Sequence, residues 1–152
     1  MKVGVLLPSR FEEPGEFLAD ARAMEAAGAD SVWLEEGNGY DPMLALAAIA
    51  AVTSQIRLGL ILPKDSPSPA PGGGSGRGLE TLQHLSRQRV ITDKQRWRRV
   101  EVPADREAWA RTLQEAHPDF DGVLVPLDPR LLDILRNPED AIDRSDLLLA
   151  QG

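Results

Sequence analysis

Short apolar runs alternate with stretches in which apolar residues recur every three or four positions, and this alternation organises the first third of the chain. Lys2–Leu7 reads as a strand buried on both faces, as parallel strands are, and Pro8 ends it. From Pro14 to Ala27 the residues Phe17, Leu18, Ala21, Met24 and Ala27 fall at helical spacing. Gly28 then stands where a left-handed C-cap belongs. Ser31–Leu34 predicts a second strand. Asp41–Pro42 marks a helix start, because the carboxylate accepts backbone N–H groups and the fixed φ of proline suits the first helical position. The alanine-rich helix runs to about Ala51, and Arg57–Leu62 is a third strand stopped by Pro63.

The pattern breaks at Lys64–Gly78, which is dominated by Pro, Gly and Ser and has no large apolar side chain. Such a segment buries too little surface to offset its ordering entropy, so a flexible loop is expected over 64–78. Its glycines miss the G-x-G-x-x-G register, and Leu79 stands where a phosphate loop of Walker spacing needs lysine. Beyond it, Leu79–Ser86 reads as a helix, Arg89–Thr92 as a short strand and Trp97–Val102 as a strand of period two. Asp105–Ala116 is an amphipathic helix and Gly122–Val125 a strand. A second Asp-Pro pair, Asp128–Pro129, opens a helix carrying Leu131, Leu132, Ile134 and Leu135, and Leu147–Ala150 is a last strand. The expectation is one α/β domain over 1–152 with six or seven mostly parallel strands and right-handed crossovers.

Composition removes several function classes. The chain has no cysteine, so thiolate metal sites and cysteine nucleophiles are excluded. His84 and His117 lie far apart with no ligand spacing around either, and no metal is expected. A net charge of −7 argues against a nucleic-acid partner, which would be bound by clustered positive charge. The longest apolar run, Met43–Val52, is too short for a bilayer, and the N-terminus reads as a strand rather than a leader. A cytoplasmic protein is expected.

Two ordered sets of residues carry a family resemblance. The first is Ser31–Leu34, Glu35–Glu36, Asp41–Pro42, the helix Leu46–Val52, and the step Thr53–Ser54–Gln55–Ile56–Arg57–Leu58–Gly59 into the third strand. The second is Glu80–Val90, where Leu85–Ser86–Arg87–Gln88–Arg89 is similar to a helix ending in Leu-Ser-Gly-Gly-Arg. Both resemble the luciferase-like monooxygenases, over roughly the first 90 residues. The resemblance implies a (β/α) barrel of the TIM type, FMN or deazaflavin as cofactor, and oxidoreductase or monooxygenase activity. A complete barrel of this type usually needs about 250 residues, so at 152 a reduced or incomplete barrel is expected. Three positions depart from the family pattern. Gly37 holds the place of a histidine, Arg87–Gln88 replaces the glycine pair, and Asp93–Lys94–Gln95–Arg96 replaces a glycine-rich turn.

Parallel sheets place their chemistry in loops at the C-terminal ends of strands. Pro8 and Arg10, Glu35 to Tyr40, and Pro63 occupy such positions and form the candidate cofactor site, with Glu36 as the candidate catalytic residue. Glu35 or Glu36 would serve as general base only where burial raises its pKa. Arg10 and Tyr40 suit an anion or a ring. Arg89 belongs to a basic run with Arg87, Lys94, Arg96, Arg98 and Arg99, read either as an anion site for a flavin phosphate or as a solvated face. Trp97 suits stacking on an aromatic ligand or packing in a core. The readings left open are a flavin-dependent oxidoreductase, a non-catalytic binder of flavin or another small molecule, and a structural subunit. Exposed sheet edges predict a homodimer or higher homo-oligomer.

Overall fold

The computed structural model describes residues 1–63, 74–92 and 94–136. Its elements alternate: β1 (Lys2–Leu6), α1 (Pro14–Ala26), β2 (Ser31–Glu35), α2 (Pro42–Val52), β3 (Arg57–Ile61), α3 (Gly74–Leu85), β4 (Trp97–Arg99), α4 (Arg106–Glu115), β5 (Gly122–Pro126) and α5 (Leu131–Leu135). The five strands form one parallel sheet in the order β3-β2-β1-β5-β4. Read from β4 this is β4-β5-β1-β2-β3, a cyclic permutation of chain order. A single parallel bridge, Leu58 to Val90, continues the sequence past β3. Each βαβ step therefore moves one strand in the same direction, and right-handed crossovers put every helix on one face. That progression is consistent with part of a (β/α) barrel.

The core follows from this placement. Val5, Val32, Leu34, Leu58, Val123 and Val125 point to the helix-covered face. They pack with Phe17, Ala21 and Met24 of α1, Leu46 and Ile49 of α2, Leu82, Trp109 and Leu131. Alternation along each strand sends Gly4, Ser31, Trp33, Gly59, Gly122 and Leu124 to the opposite, open face.

Three sequence expectations change. The described residues hold five strands rather than six or seven: Arg89–Thr92 contributes only the Val90 bridge, and Trp97–Val102 shortens to Trp97–Arg99. Leu147–Ala150 and residues 64–73 lie outside the described residues. Residues 74–78, expected in a loop, form the first turn of α3 instead. A Cβ at Gly78 would meet only the tip of the flexible Met43 side chain, at 2.7 Å, so α3 and α2 are in contact here.

The helix ends divide between expected and unexpected chemistry. Asp41 caps α2 as predicted, accepting from the Met43 amide at 2.9 Å. Gly28, at φ +88°, closes α1: its N–H donates to Glu25 O and that of Ala29 to Met24 O. This pair of bonds is a Schellman motif. The same two bonds close α3, from Arg87 to His84 O and from Gln88 to Gln83 O. There the left-handed backbone is carried by Arg87 at φ 56° and Gln88 at φ 65°.

Candidate functional site

The open face is paved by two indoles. Trp33 lies against Gly59, where a Cβ would overlap the ring, and its Nε1 donates to Ser31 Oγ at 2.8 Å. Trp97 lies against Gly122 in the same way. The two rings meet edge to face with centroids 5.1 Å apart, spanning from β2 to β4 over β1 and β5. Two residues further along the same strands, Arg99 Nη2 donates to Glu35 Oε1 at 2.8 Å. Aromatic and ionic rungs are thus stacked toward the C-terminal ends of the strands.

Beside these rungs is an open cleft of about 420 Å³. Both indoles, Leu60 and Ile61 of β3, and Leu124 of β5 form its apolar part. Thr92, Gln95 and Arg99 supply polar groups, with Ile91 completing the wall. The Nε1–H of Trp97 and the Oε1 of Gln95 are buried, with no hydrogen-bond partner among the described residues. A buried donor and a buried acceptor left unpaired cost free energy until something satisfies them.

The residues singled out from the sequence fall into separate places. Arg10 and Tyr40 are brought together: the Arg10 guanidinium donates twice to Asn38 O and sits 5.8 Å from the Tyr40 ring centroid. Tyr40 also packs on Phe11, and its N–H donates to Ser9 O. These contacts lace the loop after β1 to the loop after β2 without lining the cleft. Pro8 and Pro63 are exposed beyond the ends of β1 and β3. Glu35 is half exposed and paired with Arg99, and Glu36 is exposed. Neither has the apolar enclosure that a carboxylate base working near neutral pH requires.

Arg89 serves the scaffold. Its Nε donates to Ser86 O, Nη1 to Thr53 Oγ1 and Ile56 O, and Nη2 to Ala50 O and Thr53 O. All five guanidinium N–H groups are engaged, and Arg89 caps the carbonyls at the end of α2. Beside it, the Glu25 carboxylate accepts from the N–H groups of Ser54, Gln55 and Ile56. Burial pushes the Glu25 carboxyl up, but those three N–H groups and the Arg89 charge outweigh it and hold it below its ordinary value. Burial likewise lowers the Arg89 pKa, with Glu25 opposing and Arg87 adding to the shift.

The cleft residues Trp33, Gln95 and Thr92 carry no motif. The available signal was parity: Trp33 and Glu35 share one face of β2, and Trp97 and Arg99 share one face of β4. Which strand lies opposite which is not written locally. Among the described residues no group of three or more His, Asp or Glu side chains is placed to hold a metal ion, and no helix is long and apolar enough to cross a membrane.

Comparison with known proteins bears on the first strands. The family model described as luciferase-like monooxygenase matches residues 1–63. No curated protein matches the chain. The likeness to the luciferase-like monooxygenases thus spans the βαβαβ run from β1 to β3.

Proposed function

We propose that the cleft on the open face binds a planar heteroaromatic small molecule of the flavin class, FMN or a deazaflavin, on a luciferase-like scaffold. The observation that carries this reading is an open cleft walled by the indoles of Trp33 and Trp97, with Thr92, Gln95 and Arg99 among its polar lining. A flavin ring offers flat faces to pack on indoles and an edge of carbonyl oxygens and an N–H for polar side chains. The cleft volume of about 420 Å³ lies within the usual range for small-molecule sites of roughly 300–1,000 Å³. The indoles of Trp33 and Trp97 supply the apolar wall.

A bound flavin would supply hydride and oxygen chemistry. The chain's own residues bind and orient the ring: Trp33, Trp97, Leu60 and Leu124 by packing and excluding water, with Thr92 and Gln95 in the polar part of the lining. A binding role without turnover is the second reading. It is favoured by Gly37 in the place of the family's histidine and by the exposure of Glu35 and Glu36.

We also infer self-association, now on a different surface from the sheet edges. The Val90 edge is capped by the Gln83 side chain, which bonds both the N–H and the C=O of Val90. Helix α2, in contrast, is apolar all round, and Leu44 is 71% exposed on a face shared with Ala48, Ala51 and Val52. Helices of that composition are normally covered. Light scattering at micromolar protein that gives a strict monomer would count against this inference.

Flavin fluorescence quenching, with FMN and a deazaflavin titrated separately, tests the binding reading. Saturable quenching supports it, and consumption of reductant in the presence of an aldehyde then separates oxidoreductase from binder. No quenching at high micromolar protein refutes the cleft assignment.

A further inference from the structure

We propose that the outer edge of β4 is the docking site for a segment of this same chain, residues 139–150, whose apolar run Leu147–Ala150 adds to the edge as an antiparallel strand. Residues 137–152 lie outside the described residues. Among the described residues the sheet leaves one place for a further strand. β5 is flanked on both sides, by β1 and β4. At the far end of the sheet, the Gln83 side chain already bonds both the N–H and the C=O of Val90. At the near end, Arg96 O accepts from the Asp121 N–H and the Val100 N–H donates to Leu124 O. By alternation the N–H and C=O groups of Trp97 and Arg99 point the other way, and no backbone bond reaches them there among the described residues. An open row of this kind accepts a strand.

The pattern of charge selects the strand. Lys94, Arg96, Arg98 and Arg99 line this edge. A second copy's β4 would set arginines against arginines, and like charges opposite one another destabilise a strand pair. Residues 137–152 carry Glu139, Asp140, Asp143 and Asp146 against one base, Arg144, followed by Leu147, Leu148, Leu149 and Ala150. Strand alternation fits both faces of the edge. With Leu147 and Leu149 beside Trp97 on the open face, Asp146 falls on the opposite face with Arg98.

Reach and direction agree. Arg106, at the start of α4, donates from Nε to Asp133 O at 2.8 Å. Because α4 follows β4, this bond holds α5 near the C-terminal end of β4. The chain leaves from Arg136, and a strand returning along β4 from that end runs antiparallel. The eleven residues on to Leu147 span roughly 36 Å when extended, and neighbouring strands are only about 5 Å apart.

Amide hydrogen exchange of the full chain, read residue by residue in nitrogen–proton correlation spectra, tests the docking. The N–H groups of Trp97 and Arg99 face the edge and those of Arg98 and Val100 face β5, so β4 carries its own control. In the wild type all four should be protected. Leu148→Pro combined with Leu149→Pro removes a strand donor in either register and changes none of the described residues. It should speed exchange at Trp97 and Arg99 by about tenfold or more, as loss of local pairing implies, and leave Arg98 and Val100 nearly unchanged. Wild-type exchange at Trp97 and Arg99 as fast as in the proline variant would overturn the proposal. Protection that fades on dilution, together with a dimer in light scattering, would also overturn it, because a second copy then supplies the segment.

Discussion

Replacing Arg87 and Gln88 with glycine should stabilise this protein, which is an unusual expectation for two substitutions that remove side chains. Both residues hold left-handed backbone, at φ 56° and 65°. For a residue with a Cβ that conformation costs roughly 1–2 kcal/mol. Glycine removes the steric cost but gains freedom in the unfolded chain, which returns about 0.5–1 kcal/mol. At mid-range values the net is a gain of about 0.75 kcal/mol per site, and up to about 1.5 kcal/mol for the adjacent pair. Arg87→Gly also removes a positive charge that acts on the guanidinium of Arg89. Urea unfolding should show a higher midpoint at unchanged slope. The melting temperature should rise by about 2–4 °C per kcal/mol for a domain of this size. The chain contains its own control, since α1 ends in the same pair of hydrogen bonds with Gly28 at φ +88°. Gly28→Ala should lose about 1 kcal/mol. An unchanged or lowered midpoint for the double glycine variant, alongside a tolerated Gly28→Ala, would refute the strain argument.

Three further outcomes follow from the scaffold. Glu25 has a folded-state pKa below its ordinary value of 4.5, so the stability it contributes is complete above that value and is lost as pH falls through the lower folded pKa. Glu25→Gln should therefore be destabilising at pH 7, and the gap from wild type should narrow below pH 4.5, as read by urea midpoints across the acid range. Gly59→Ala places a methyl group in the Trp33 ring, which Ser31 holds through its Nε1–H. A loss of about 1–3 kcal/mol from overpacking, together with a shifted tryptophan emission, is expected; wild-type stability and emission would contradict the packing. Arg89→Lys keeps the charge but not the fork that reaches Ala50, Thr53, Ile56 and Ser86 at once. It should lower stability without weakening flavin-ring binding, and selective loss of binding would return Arg89 to the site.

Much of the scaffold was legible because its signals are local. Asp41 and Pro42 start a helix by capping chemistry within four residues, and Gly28 ends one by its own backbone freedom. The first three strands are apolar runs between such signals. Strand order was not legible, because β1 pairs with β5 through contacts some 120 residues apart that leave no local trace. The same limit hid the cleft. Trp33 and Trp97 look like ordinary core residues until β2 and β4 are placed across one sheet face. Arg89 was visible as part of a basic run, but its role at the end of α2 depends on the left-handed turn at Arg87 and Gln88. That turn was obscured because neither residue is glycine. Residues 74–78 misled for the opposite reason: glycine and serine there continue a helix, and Gly78 lies against Met43 of α2.

The central claim, that the open face of the sheet binds a flavin-class ring against Trp33 and Trp97, is tested most directly by the indole N–H signals of the protein. Its three tryptophans give three such resonances in a nitrogen–proton correlation spectrum. Trp97 lines the cleft and its buried N–H has no partner among the described residues, Trp33 lines it with its N–H bonded to Ser31, and Trp109 packs on the helix-covered face. On titration with riboflavin the Trp97 signal should move farthest, Trp33 should move less, and Trp109 should stay in place. A Trp97 signal that does not move at saturating riboflavin, or movement confined to Trp109, would contradict the account.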